Sequence, residues 1–280
     1  MAARLADRDV LRLLGAEPIV GLGAGRALLM QLAHPGVARG VAEHSDFAER
    51  PLARLFGTLD FLLITAFGTP EQVERIAAKV RGIHTAVRGE GYSGNDPGLQ
   101  LWVNATLIDS ALYLHERLGR RGRPGEDEAE EYYRQARIVA EVLGCPLEEQ
   151  PADLASFRAY MDEMVASLEV DDNARKVAAA VLHPRKLRAL APGLAVFRVV
   201  TTALLPEPFR ERYGLPWGAR HRRAAALVLG TAALGHRVTP GPLRRPPQAL
   251  LVRLASHRVE RTLRERRARR RAGRAERAGD

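Results

Sequence analysis

Cysteine is almost absent from this 280-residue sequence, which contains only Cys145. A single thiol excludes an intrachain disulfide and any zinc site built from a cysteine cluster. Long apolar runs are also missing, because the longest weakly polar stretch, residues 224–235, is too short to span a membrane and predicts a buried helix. The amino-terminal segment is charged throughout and has no apolar signal-peptide core. We therefore expect a cytoplasmic protein without disulfides.

Aromatic residues make up only 5% of the chain, so few side chains could stack on nucleic-acid bases. We therefore expect no sequence-specific binding of nucleic acid. Carboxylates are scarce at the carboxyl end, where residues 244–280 hold 13 arginines against four acidic residues. That segment carries a net charge of +9, nearly all of the +10 of the chain. We interpret it as a solvated tail, with an amphipathic helix in its first half and disorder beyond. Weak contact with an anionic surface is the alternative.

The glycine-rich stretch GLGAG at residues 21–25 suggests a dinucleotide-binding loop at first sight. Such a loop requires Gly-x-Gly-x-x-Gly between a strand and a helix. If the motif starts at Gly21 its last glycine position holds Arg26, and if it starts at Gly23 that position holds Leu28. Pro18 also makes a strand before the glycines unfavourable. We predict instead that these glycines let a helix pack closely against a neighbour.

Apolar residues recur with helical periodicity along nearly the whole chain. Residues 51–67 are apolar on almost all sides and predict a central helix, and a second helix is predicted from Thr69 to Gly89. Residues 89–98 predict a loop, and no convincing alternating strand or internal repeat is found. We predict an all-α, multi-helix bundle in a single domain over residues 1–243, followed by the arginine-rich tail.

Two features of the predicted helices carry candidate chemistry. His84 lies beside the apolar stripe of its helix, where it is either a core histidine or a ligand. Arg54 and Thr58 are four residues apart and share one face of the predicted central helix. A guanidinium buried there requires an anionic partner. That partner is either a carboxylate such as Asp46 or Asp60, or a cofactor carboxylate or bound oxyanion.

The segments HPGVARGVAEHSDF, RLFGT, VRGIHTAVRG and LQLWVNATLIDSALYLHERL follow one another along the chain. Together they resemble the catalytic domain shared by the rubber oxygenases (latex clearing proteins) and an ER-bound oxygenase of mycophenolic acid biosynthesis. The resemblance runs from about residue 15 to about Trp217. It implies an all-α, globin-like core around a b-type haem and an activity that uses dioxygen.

The resemblance also implies roles for individual residues. The Arg-x-x-x-Thr pattern of the family matches Arg54 and Thr58, which implies polar groups in the haem pocket. The axial histidine of the family matches His84, which implies that this residue binds the haem iron. A lysine that precedes the threonine in rubber-cleaving members is Gly57 here. We therefore expect the sixth iron position to be governed differently.

His44 is a further candidate catalytic residue, and His34, Glu43 and Asp46 are additional candidates for the pocket or for acid/base chemistry. Both histidines lie near predicted helix ends, so helix capping is the alternative role for each.

These inferences predict a haem-dependent oxygenase or oxidase for a small, apolar, intracellular substrate, acting by oxidative cleavage of a C=C bond. A haem-binding or haem-sensing protein without turnover is the first alternative. A helical adaptor that has lost the cofactor is the second. The sequence leaves the oligomeric state open.

Overall fold

The computed structural model describes residues 2–44, 51–119, 124–184, 186, 190–240 and 247–279, and the side chains of these residues except 2, 51–54, 263 and 265–279. Helices dominate, which confirms the predicted all-α bundle. In chain order they are α1 (Ala2–Ala6), α2 (Asp9–Gly15), α3 (Ala24–Ala33), α4 (Pro35–His44), α5 (Pro51–Phe67), α6 (Pro70–His84), α7 (Pro97–Leu118), α8 (Glu126–Ala136), α9 (Ile138–Glu141), α10 (Leu154–Ser167), α11 (Asp172–Leu182), α12 (Ala191–Leu204), α13 (Glu207–Arg212), α14 (Ala219–Val238) and α15 (Gln248–Gly279).

Two other kinds of element interrupt the helices. Short 3₁₀ helices cover Pro18–Gly23 and Leu147–Glu149. Strands β1 (Arg88–Gly89) and β2 (Tyr92–Ser93) pair antiparallel and are the only strands within the described ranges. The hairpin begins at Arg88, inside the predicted helix, and continues into residues 89–98, which the sequence predicts as a loop.

Helix α7 is the central element of the bundle. Asp96 caps it by accepting a hydrogen bond from the backbone amide of Leu99 at 3.0 Å, and Pro97 occupies its first position. Trp102 is fully buried, and its indole Nε1 donates to the carbonyl oxygen of Met30 in α3 at 3.2 Å. Helices α2, α3, α8, α9 and α10 all contact α7. Helix α7 therefore lies at the centre of the packing, and its 22 residues span about 33 Å from one end to the other.

The glycine-rich stretch lies where α3 meets α7 and α12. Residues 18–23 form a 3₁₀ helix that continues directly into α3, so no strand precedes that helix. A Cβ atom added at Gly25 would lie 1.9 Å from Oγ1 of Thr201, and one added at Gly23 would lie 2.8 Å from Cδ1 of Leu114. The prediction of close helix packing is confirmed, and the dinucleotide loop has no structural basis.

A buried ion pair stabilises the same junction. Arg26 is 5% exposed, and its Nη2 lies 2.6 Å from Oδ2 of Asp109. Its Nε donates to the carbonyl oxygen of Leu204 at 2.9 Å, and its Nη1 donates to Oγ of Ser110 at 2.8 Å. One guanidinium thus links α3, α7 and the end of α12.

The described side chains of helix α5 run from the surface into the core. Residues 55–59 are exposed whereas Phe61 is buried, so the prediction of a helix that is central throughout is wrong for residues 55–59. Arg8 is 1% exposed and donates to the carbonyl oxygens of Thr65 and Gly68, the latter at 2.8 Å. Burial lowers the pKa of Arg8 to about 10, so the guanidinium stays charged at the carboxyl end of the α5 dipole.

The first part of α15 docks on α5. Arg258 binds both carboxylate oxygens of Asp60, at 3.0 Å and 2.5 Å. Asp60, one of the carboxylates considered as a partner for Arg54, is therefore paired with a residue of the arginine-rich segment. The apolar side chains of α15 that are buried in the same region are Val252, Ala255 and Val259.

No single described helix is long and apolar enough to cross a membrane. The segments Asp9–Gly15 and Pro18–Ala33 are bent by 72° relative to each other. Taken together, they are long and apolar enough to cross a membrane, by length and composition alone. The second member of this pair contributes Leu29 and Met30 to the buried core.

We predict that Gly25→Ala destabilises the protein by about 1–3 kcal/mol, because the new methyl group has no room between α3 and α12. Urea unfolding of the purified protein measures the effect. Gly21→Ala is the matched control, since nothing lies within 4 Å of a Cβ at that position. Equal stability of the two variants would contradict the packing role of Gly25.

Stability is also expected to depend on pH through His115. This residue is 6% exposed, its Nε2 lies 3.1 Å from the carbonyl oxygen of Leu14, and burial lowers its pKa below the ordinary 6.5. The unfolded chain therefore takes up a proton first as the pH falls through 6.5, so the free energy of unfolding decreases from pH 7 to pH 5.

His115→Gln keeps a donor for Leu14 but does not titrate, so its stability is expected to change less between pH 7 and pH 5. Urea titrations at both values measure the change, with the exposed His257→Gln as the control. If the stability of His115→Gln depended on pH as strongly as that of the wild type, His115 would not be the source of the pH dependence.

Candidate functional site

His84 is the last residue of α6 and is half-buried. Its Nδ1 lies 2.9 Å from Nε2 of Gln100, a residue of α7 that is 5% exposed. The same amide nitrogen donates to the carbonyl oxygen of Gly94. Helix α6 was predicted to continue to Gly89, which would have placed His84 in its interior. That prediction is wrong, because the chain turns back at this imidazole.

The turn after α6 fixes the backbone of His84. Asn95 Nδ2 donates to the carbonyl oxygen of Arg81 at 3.3 Å and to Oγ1 of Thr85 at 3.0 Å. A Cβ atom added at Gly94 would lie 2.9 Å from the carbonyl oxygen of His84, closer than real side chains approach. The turn therefore requires glycine at position 94, and the imidazole is positioned by both backbone and side-chain contacts.

A second polar cluster lies on the other side of the hairpin, at the end of α4. His44 Nε2 lies 3.0 Å from the Tyr92 hydroxyl, which donates to Oε2 of Glu43 at 2.5 Å. The guanidinium of Arg39 stands 5.3 Å from the centroid of the Tyr92 ring. The hydrogen bond to Glu43 raises the pKa of Tyr92, so the phenol is neutral near pH 7. His44 itself is exposed.

Hairpin packing links this cluster to the turn that holds His84. The amide of Gly94 donates to the carbonyl oxygen of Val87 at 2.7 Å. A Cβ atom added at Gly40 in α4 would lie 3.2 Å from Cγ1 of Val87 and 3.4 Å from Cε2 of Tyr92. Helix α4 therefore approaches the hairpin closely, and the hairpin connects the His44 and His84 regions.

Thr58 lies on the exposed first half of α5. Its neighbours Leu55, Phe56 and Leu59 are 43%, 51% and 46% exposed, an unusual concentration of apolar surface. A two-residue connection joins α5 to α6, and the two helices contact each other. The side chain of Arg54 lies outside the described residues.

The remaining candidates have simpler positions. His34 follows α3, and its Nδ1 accepts a hydrogen bond from the backbone amide of Gly36 at 3.1 Å. Burial lowers the pKa of His34, which favours the neutral, accepting imidazole. Asp46 lies outside the described residues. The described part of the chain has no group of three or more His, Cys, Asp or Glu side chains that could hold a metal ion.

Comparison with known proteins places this arrangement in a family. The family described as ER-bound oxygenase mpaB/B'/Rubber oxygenase, catalytic domain, matches residues 11–236. The chain belongs to this oxygenase family. The match includes Arg54, Thr58, His84 and His44, and it ends before α15 begins. Helix α15 therefore lies outside the matched residues, whereas α5, on which it docks, lies within them.

Two mycobacterial proteins are similar to the chain. The uncharacterized protein Mb2261 of Mycobacterium bovis and the uncharacterized protein Rv2237 of Mycobacterium tuberculosis are each 30% identical to it over 226 residues. Each alignment covers 76% of this chain and 87% of the relative. No solved structure matches the chain.

Sequence reasoning did not identify Gln100, Asn95 or Tyr92 as site residues. Gln100 and Asn95 are polar residues at the start of an apolar helix, where capping explains them equally well. Tyr92 lies in a glycine-rich segment that was predicted to be a loop. The presence of an aromatic residue there was the one signal that could have identified it as a site residue. The contacts of all three residues arise only when the hairpin folds back between α4 and α7.

We predict that Gly94→Ala displaces the backbone at His84 and destabilises the protein by about 1–3 kcal/mol. Gly82→Ala is the matched control in the same region, because nothing lies within 4 Å of a Cβ there and alanine favours the helix. Urea unfolding compares the two variants. A Gly94→Ala protein as stable as Gly82→Ala would show that the turn has room for a side chain.

Proposed function

We propose that this protein is a b-type haem-dependent oxygenase in which His84 is the axial ligand and dioxygen oxidises a small apolar substrate. One observation carries the proposal: in a chain of an oxygenase family, the half-buried imidazole of His84 is held by Gln100 at the end of α6.

The ligand set fits a haem better than iron bound by the protein alone. A mononuclear non-haem iron site uses two histidines and a carboxylate. The described residues contain no such group of three ligands. A porphyrin supplies four nitrogen ligands itself, so one protein imidazole is sufficient. His84 is the described residue that also matches the axial histidine implied by the family.

The contact with Gln100 defines how His84 would bind iron. The amide nitrogen of Gln100 faces Nδ1 and the carbonyl oxygen of Gly94, which places the ring proton on Nε2. His84 would hold a haem iron through Nε2, with its remaining proton on Nδ1. The amide oxygen of Gln100 would then accept a hydrogen bond from Nδ1–H and orient the ring, as outer-shell partners of metal-bound histidines do.

The exposed face of α5 supplies the chemistry for a haem surface. Leu55, Phe56 and Leu59 offer apolar contacts to a macrocycle, and Thr58 adds a hydroxyl on the same part of the helix. By the family resemblance, Arg54 would contribute a guanidinium near the propionates or the oxygen side. A cation and a hydroxyl there stabilise negative charge that develops on the reacting oxygen.

The cluster at the end of α4 can hold a proton at a defined atom. Because the Tyr92 hydroxyl donates to Glu43, its lone pair accepts from the Nε2–H of His44. This arrangement leaves Nδ1 of His44 as the basic nitrogen. We therefore propose His44 as an acid/base residue that Tyr92 and Glu43 keep in one tautomer.

The substrate class follows from the apolar surface. A bound haem would supply the activation of dioxygen, which is chemistry that side chains alone do not provide. Leu55, Phe56 and Leu59 would present an apolar surface to such a substrate. We propose a small apolar substrate with a C=C bond that is cleaved oxidatively, and action in the cytoplasm.

The experiment is an absorption spectrum of the purified protein, produced with adequate haem, before and after reduction by dithionite. We expect a Soret band in the wild type and its loss or a marked shift in His84→Gly. Exogenous imidazole is expected to restore the band in His84→Gly by occupying the vacated ligand position. A wild type without haem, or an unchanged band in His84→Gly, would overturn the assignment.

His44→Ala is the matched control, because it removes an imidazole that is not assigned to the iron. Its Soret band should be unchanged, whereas oxygen consumption with apolar alkenes should fall. Haem binding by the wild type without oxygen consumption across a panel of alkenes would favour the haem-binding or haem-sensing alternative.

A further inference from the structure

A groove of about 490 Å³ lies at the far end of α7, between α12 and α14. Its volume is within the range of about 300–1,000 Å³ that is typical of small-molecule sites. Arg117 in the last turn of α7 contributes to its lining. The positions of Gln100 and Arg117 are about 26 Å apart along a straight helix, so the groove is separate from the His84 region.

One face of α14 forms the length of the groove. The lining positions recur with the spacing of a single helix face and extend about 17 Å along the axis. Small side chains dominate this face and leave the space open. The α14 residues that line the groove are Arg222, Ala225, Ala226, Leu229, Gly230 and Ala233.

Two arginines, Arg117 and Arg222, line the groove beside apolar residues. Arg222 lies in the first turns of α14, where the helix dipole also favours an anion. Arg117 reaches the same lining and contacts the Tyr113 ring and hydroxyl, at 6.0 Å and 3.4 Å. Trp217 also lines the groove, with the guanidinium of Arg210 4.7 Å from its ring centroid.

The charge of Arg117 and Arg222 is not balanced by the groove lining itself. No acidic residue lines the groove within the part of the chain that the structure describes. Helix α14 contains no Asp or Glu over its whole length. An anionic head group is therefore the complementary ligand for Arg117 and Arg222, and an alkyl chain is the complementary ligand for the alanine- and leucine-lined remainder.

We propose that this groove binds an amphiphilic carboxylate with an unbranched alkyl chain, such as a fatty acid. The carboxylate lies between Arg222 and Arg117, and the chain extends along α14 toward Ala233. Charge-assisted hydrogen bonds fix the head group, and burial of the chain supplies most of the affinity. This site is independent of the haem proposal.

Isothermal titration calorimetry of the full chain with dodecanoate, below its micelle concentration, tests the proposal. We expect saturable binding of dodecanoate and at least about tenfold weaker binding of dodecanol and of acetate, which lack the charge and the chain respectively. Equal affinity for dodecanol, or no binding of dodecanoate, would overturn it.

Two matched pairs of variants locate the ligand. Arg222→Gln is expected to weaken dodecanoate binding about tenfold, whereas Arg223→Gln, which changes an exposed arginine outside the lining, should not. Gly230→Leu fills the groove and should abolish binding, whereas Gly235→Leu should retain it. Nothing lies within 4 Å of a Cβ at either glycine, so both variants are expected to fold. Binding that survives Gly230→Leu would place the ligand elsewhere and contradict the proposal.

Discussion

The bundle depends on the buried contact between Arg26 and Asp109. A guanidinium that is 5% exposed is tolerated because it pairs with a carboxylate and donates hydrogen bonds to a hydroxyl and a backbone carbonyl oxygen. Removal of one partner from such a pair typically costs about 3–5 kcal/mol, since the other charge remains buried. The contact joins α3 to α7 and to the end of α12. It therefore fixes the helix on which both candidate sites are built.

Helix α7 connects two regions with different chemistry. Near its start, Gln100 holds the imidazole of His84, and the capping residue Asp96 fixes where the helix begins. At its end, Arg117 contributes to the groove along α14. A rigid, largely buried helix keeps these two regions apart, so substitutions in one region are expected to leave the other intact. Residues 55–59 of α5 add an exposed apolar surface. Helix α15 contacts α5 although the two are far apart in the sequence.

Local signals in the sequence were sufficient where neighbours along the chain decide the structure. Thr69 and Pro70 predicted the start of α6, and Thr69 does form a capping box with Gln72, accepting at 3.3 Å. The opposite end of α6 was not predictable from the same periodicity. It ends at His84 because contacts from Asn95 and Gln100 stabilise a turn there, and such contacts have no signature in the helical pattern. The surface position of the first half of α5 was missed for a related reason, since an apolar segment does not show which neighbour covers it.

The sequence by itself determined the helical class and the family. These properties follow from residue type and spacing, which the chain carries before it folds. Only the tertiary structure decided which groups surround the imidazole of His84, how Tyr92 orients His44, and that Arg258 pairs with Asp60 across 198 positions. Pairing over such distances depends on helix packing, and helix packing depends on shape and burial that no local pattern encodes.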